Sequence, residues 1–193
     1  MTLMKTICKA PAKLILSGEH AVVNHAPAIS MAIDLPTFCE MQFTPLSAGQ
    51  VPFVEIDLVD CSQKHALPFS VWQKMGINIE SRFQLFELGV STIRSVLKLP
   101  VDLVISTLHH YHQNFGVKPG HWQIKIYGHS MLGKGLGSSA SVIVGLLHSL
   151  FLHHGQKLNA LELLALAKTI EARQHGKSSG IDPATIFHGG LLH

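Results

Sequence analysis

Polar and apolar positions alternate through the first third of the chain. Residues 51–59 put Val54, Ile56 and Leu58 on one side and Glu55 and Asp57 on the other, the period of a half-buried strand. Residues 38–43 suit the role of its partner, joined to it through residues 45–52 and a turn at Gly49. Residues 4–9 and 14–16 read as two more short strands, separated by Pro11. Beyond Pro68 the period lengthens. Phe83, Phe86, Val90, Ile93 and Leu97 recur at helical spacing, which predicts a helix over 79–97 and a second over 102–110. Trp122, Ile124 and Ile126 then alternate with Gln123 and Lys125 in a strand that ends at Gly128. Residues 139–153 are nearly all apolar, so that helix should be central and covered on most sides. Asn159, with Glu162 three positions on, forms a capping-box pattern for a helix that stops at Gly176 in a left-handed end. The last residues, KSSGIDPATIFHGGLLH, read as a glycine-punctuated loop and the beginning of a strand. Neither a repeat nor a linker interrupts the pattern. The expected fold class is α+β, strands packed on helices in one domain.

Composition narrows the classes. Of 193 residues, 47% are hydrophobic, which fits a folded globular chain. No apolar run reaches the roughly 18 residues of a membrane span, and the first twenty residues lack the pattern of a signal peptide. Cys8, Cys39 and Cys61 are odd in number and unpatterned, which favours reduced thiols and a cytoplasmic setting. The net charge of +3 comes from scattered Lys and Arg, so no nucleic-acid footprint is expected. His109, His110 and His112 surround Tyr111, but no Cys pair or HExxH backs them. They read as an exposed polar loop rather than a zinc site.

The chemistry centres on KGLGSSASV, residues 134–142, between a predicted strand and a predicted helix. A Walker A loop needs a lysine after its last glycine, and none is present. A dinucleotide fingerprint fits Gly135, Gly137 and Ala140, and its acidic partner would have to be Glu162. That glutamate is already explained by helix capping. The third reading is a loop whose backbone N–H groups and helix N-terminus surround a triphosphate. Ser138 and Ser139 either cap the helix or lie beside the anion, and the two roles are compatible.

KGLGSSAS resembles the second motif of the GHMP kinases, small-molecule kinases without a Walker A loop. Two further segments carry the same likeness. APAKLILSGEHAVV, residues 10–23, is similar to the first motif, and its AVV ending looks like that of the mevalonate-kinase branch. HGKSSGID, residues 175–182, is similar to the segment that carries the aspartate of that branch. The resemblance implies the GHMP N-terminal domain, akin to domain 2 of ribosomal small-subunit protein 5. It also implies ATP- and Mg²⁺-dependent phosphoryl transfer to the alcohol of mevalonate, in isoprenoid synthesis. Other GHMP kinases (phosphomevalonate or homoserine kinase) and a non-catalytic nucleotide-binding fragment remain alternatives.

By the same resemblance Asp182 is the base facing the substrate hydroxyl, and Lys13 stands beside it and the phosphates. Gly133, Lys134, Gly135, Leu136, Gly137, Ser138 and Ser139 hold ATP. Ser139 and Glu171, eleven residues before Asp182, ligate the metal. His20 and Glu19 lie on the substrate side. The chain departs from the pattern at Ala12, where glycine is common, and in the HSML lead-in to the loop, which leaves the adenine side unassigned. Members of the family carry a second, C-terminal domain that residues 1–193 do not include. The other half is either further along a longer polypeptide or a separate chain, and a homodimer is compatible with both. Neither a nucleic acid nor a membrane is expected as partner.

Overall fold

The computed structural model describes residues 4–18, 27–128 and 135–193. Strands β1 (Met4–Ser17), β2 (Ile29–Thr44), β3 (Phe53–Leu58), β4 (Gln63–Pro68), β5 (His121–Gly128) and β6 (Leu191–Leu192) form one sheet in the order β1-β2-β5-β3-β4, with β6 on β2. Helices α1 (Phe69–Glu87), α2 (Pro100–Phe115), α3 (Ser138–His153), α4 (Ala160–His175) and α5 (Ile181–His188) supply the other layer. All pairings are antiparallel except β3 with β5. The α+β class expected from the pattern is the observed one.

Register explains which face is covered. Cross-strand partners share a face, and the rows Cys8, Cys39, Ile126, Leu58 and Met41, Ile124, Ile56 run across the sheet as buried side chains. The intervening positions, Glu40, Gln123, Lys125, Glu55 and Asp57, face outward. Helix α3 packs on β1 and β2 and also touches α2, α4 and α5. Its Ile143, Leu146, Leu147 and Leu150 are fully buried, each contributing about 1.5–3 kcal/mol by area. This is the central helix that its sequence predicted.

Several expectations are corrected. The strand at 53–58 pairs with β4 and β5, not with 38–43, which pairs with β1 and β5. Strand β1 runs unbroken through Pro11, because a bulge sets Pro11 opposite residues 34–36. Proline lacks a ladder donor and is tolerated at such an irregularity. The predicted helix over 79–97 starts ten residues earlier and ends at Glu87; Gly89 follows at φ 72. Ile93 then falls in a short 3-10 turn. The histidine cluster is not an exposed loop. It lies on α2, with His109 and His110 buried. Among the described residues no three His, Cys, Asp or Glu side chains are grouped to hold a metal ion. The C-terminal loop contains α5, and only Leu191–Leu192 form the strand.

Candidate active site

Three segments meet along the second half of β1, at residues 11–13. The bulge is fixed from the helix side, where the Ser141 hydroxyl donates to the Pro11 carbonyl at 2.7 Å. Two residues on, the Lys13 backbone N–H donates to the Leu136 carbonyl at 3.0 Å, tying the strand to the glycine loop. Gly137 has φ +71, and a Cβ there would come 2.7 Å from Lys13 Cγ. Only glycine meets both conditions, the left-handed backbone and the close approach. The lysine stem is thereby laid along the loop.

Lys13 lies within β1 and is 5% exposed, not a surface lysine ahead of a strand. Its ammonium is 3.0 Å from Asp182 Oδ2. Asp182 is in the first turn of α5, after Gly180 at φ +85, and not in a free turn. Pro183 fits that first turn because its missing N–H would be unpaired there anyway. A cation so buried is tolerated only when paired. The Lys13–Asp182 pair meets that requirement.

Glu171 is 5% exposed on α4 and is not a solvent-facing carboxylate. The Ser178 hydroxyl donates to Glu171 Oε2, and Ser178 Oγ accepts the Gly180 N–H at 3.0 Å. Burial pushes the Glu171 carboxyl up to about 7, with the Asp182 charge adding to it, while Ser178 and Lys13 act the other way. His175, one turn on, feels the same Asp182 and Lys13 charges. The residue as a whole is exposed, yet desolvation of its ring leads in lowering its pKa. Ser178 was missed by sequence reasoning, although it stands inside the quoted KSSGID segment.

Ser138 and Ser139 open α3 behind Gly137, and neither side chain caps the helix. Both line a cleft of about 520 Å³ with Asp60, Arg94, Lys98 and Gln174. Gln174 is three residues beyond Glu171, so the serines and the last turn of α4 share one cleft. Asp102 shapes its wall. The carboxylate is 4% exposed, accepts the Lys98 and Leu99 N–H groups at 2.9 and 3.4 Å, and pairs with Arg82 at 3.2 Å. Glu19, His20, Gly133 and Lys134 lie outside the described residues.

The dinucleotide reading fails on topology. After α3 come α4 and α5, and β6 pairs antiparallel with β2, so no parallel strand completes a βαβ unit. Glu162 is exposed, and Asn159 alone caps α4 by accepting the Leu161 N–H at 3.0 Å.

The GHMP kinases N terminal domain matches residues 102–190. The crystal structure of the Methanococcus jannaschii mevalonate kinase superposes with a TM-score of 0.76 at 25% identity, covering 98% of this chain and 53% of that one. The Lactococcus lactis galactokinase complexed with galactose superposes at 0.71 and 16% identity, covering 94% and 41%, which speaks for the fold alone. The architecture is therefore that of the N-terminal domain of the GHMP kinases. Within that group the chain is similar to mevalonate kinases. Those of Pyrococcus furiosus and Methanocaldococcus jannaschii are 31% and 30% identical over 189 and 186 residues, covering 98% and 96% of this chain. It spans about half the length of these curated relatives, 51% and 53%. No helix among the described residues is long and apolar enough to cross a membrane.

Proposed function

We propose that residues 1–193 are the nucleotide-binding domain of an ATP- and Mg²⁺-dependent small-molecule kinase whose acceptor is mevalonate. The observation that carries this reading is the Lys13–Asp182 pair at 3.0 Å, against a glycine loop that opens α3. Phosphoryl transfer needs little covalent help from the protein. It needs a held triphosphate, neutralised charge and a positioned hydroxyl.

The loop amides from Gly133 through Leu136 to Ser138, with Lys134 and the N-terminus of α3, hold the phosphates. The base lies in the cleft beyond Ser138 and Ser139, whose volume suits a small ligand. Asp182 orients the acceptor hydroxyl and takes its proton late, as the new P–O bond forms. Lys13, 3.0 Å from Asp182, orients that carboxylate and offsets charge on the transferring group. By the likeness of the GEH segment, His20 and Glu19 are assigned to acceptor binding.

The donor set fits Mg²⁺. This ion takes one or two carboxylates, phosphate oxygens and retained waters, and Glu171 is a carboxylate that burial raises to about 7. Glu171 and the Ser139 hydroxyl would hold it. When bound, the metal neutralises the phosphate oxygens. Because the relatives are about twice as long, this reading includes a second domain, in the same polypeptide or another, that completes the phosphate site. The three unpaired cysteines support a reducing, cytoplasmic setting.

The test is transfer of label from γ-labelled ATP to a panel of alcohols. Phosphomevalonate from mevalonate is the expected product. Label on homoserine or phosphomevalonate instead would move the acceptor within the GHMP group. ATP binding with no transfer to any acceptor would leave a nucleotide-binding fragment, a reading that the half-length match favours. Absence of ATP binding would sink the proposal.

A further inference from the structure

Helix α4 does more than carry Glu171. Its last turn and its exit rest on one face of α1, residues 80, 83 and 86, three apart and so aligned along the helix. Arg173 Nε donates to Glu80 Oε1 at 3.1 Å and its Nη2 to Glu80 Oε2 at 2.6 Å, a two-pronged contact. The third prong, Nη1, donates to the Thr169 carbonyl of its own helix at 2.9 Å. The guanidinium carbon lies 4.4 Å from the centre of the Phe83 ring. Gly176 ends the helix at φ +83, and a Cβ there would meet Phe86 Cζ at 2.8 Å. Packing, charge and backbone thus converge on a single orientation of the α4 exit.

What leaves that exit is the site itself. Ser178, which donates to Glu171, comes two residues after Gly176, and Asp182 four residues later. Glu171 precedes Arg173 by two. Among the described residues, neither Glu80 nor Arg173 has a hydrogen bond or ion pair to Lys13, Glu171 or Asp182. Their side chains are 25% and 15% exposed. Burial acts to raise the Glu80 carboxyl, but hydrogen bonds from Arg173 and the charges of His110, Arg173 and His109 outweigh it and leave it below the ordinary carboxylate range. A carboxylate that stays charged keeps both prongs. Fork-to-fork arginine contacts fix direction as well as distance, which apolar packing of the same volume would not.

We propose that the Glu80–Arg173 clamp is a positioning device: it sets the pitch and exit angle of α4, and so places Glu171, Ser178 and Asp182 against Lys13. Its catalytic consequence rests on the kinase reading; its mechanical part does not. Arginine-to-lysine replacement keeps the charge but loses the fork, so the clamp predicts a graded response.

The experiment compares wild type with Arg173→Lys, Arg173→Met, Glu80→Gln and the double variant Glu80→Gln/Arg173→Met. Leu147→Ala, a core deletion in α3, serves as the control for general destabilisation. Amide hydrogen exchange is read at residues 176–181 and in α3. Arg173→Met should speed exchange at 176–181 by about tenfold with α3 amides little changed, Arg173→Lys by less, while Leu147→Ala speeds α3 first. Mn²⁺ titration in the presence of ATP should show half-saturation rising about fivefold in Arg173→Met, with ATP affinity within about twofold. The double variant should be no worse than the worse single one, as for two ends of one contact. Exchange at 176–181 that is unchanged, or that rises only in step with α3, overturns the proposal. A wild type that binds neither ATP nor Mn²⁺ would defeat the kinase reading, and the exchange data would still decide the clamp.

Discussion

The two sides of the glycine loop are built differently. On the β1 side, Lys13 and Glu171 are buried and Asp182 is partly covered, the lysine coming from a segment far from the other two in sequence. On the α3 side, Ser138 and Ser139 face a cleft walled largely by apolar residues such as Leu58, Leu97, Leu103 and Val104. Ionisable groups out of water must be compensated or they change protonation. In the cleft that requirement is confined to the wall, where Arg82 and two backbone amides compensate Asp102, and the shape follows from where α2, α3 and the 93–100 loop diverge. The charged side therefore couples chemistry to stability and pH. The apolar side should affect binding alone.

The largest expected break is at Asp182. Replacement by Asn should lower kcat by roughly 10²–10⁴ while ATP affinity, measured by calorimetry, stays close to wild type. Turnover near wild type would remove Asp182 from the chemistry. Glu171 comes next. A carboxyl raised in the folded protein binds its proton more tightly there than in the unfolded chain. The stability this adds is full below pH 4.5, the ordinary value, and is lost as pH rises through about 7. Urea melts of the metal-free protein should show wild type losing about 2–3 kcal/mol against Glu171→Gln between pH 4.5 and 8. Mg²⁺ with ATP should recover that loss in wild type only. Parallel pH curves would detach Glu171 from both roles. The smallest effect sharpens the contrast from the cleft side. Asp102→Ala frees the Lys98 and Leu99 amides and should raise KM for ATP by about three- to tenfold, the cost of one or two hydrogen bonds, with kcat held. A fall in kcat instead would show that the two sides are not separable.

Much of the fold was legible because burial leaves a periodic trace. Strand β5, helix α3 and the capped start of α4 could be read directly, since in each the apolar period continues to a clear boundary. Helix α1 was misplaced because Val90, Ile93 and Leu97 extend the helical period past Glu87, while Gly89 at φ 72 ends it. Strand β4, QKHALP, was missed since its inward positions are only half buried and carry Gln63 and His65. Helix α5 hid behind Gly180 and Pro183, which punctuate turns as readily as they start helices. The histidines looked like a polar loop because a sequence does not reveal that Glu80 and the Ser106 carbonyl await His110. The candidate site was legible only through its motifs. No composition or periodicity reports that residues 13 and 182 lie 3.0 Å apart.

The irregularity at Pro11 divides β1 and β2 into two ladders joined in series. Cys8 to Ala10 keep step with residues 37–39, and Ala12 to Ile15 keep step with residues 30–33, before a second shift at Leu16. The offset between them is three residues against one, held at a single point by Ser141. Loss of one of residues 34–36 through drift would leave the pairs of the first ladder as they are, yet strain the joint from which Lys13 extends toward its partner. A lineage could thus weaken this centre without replacing any of its charged groups.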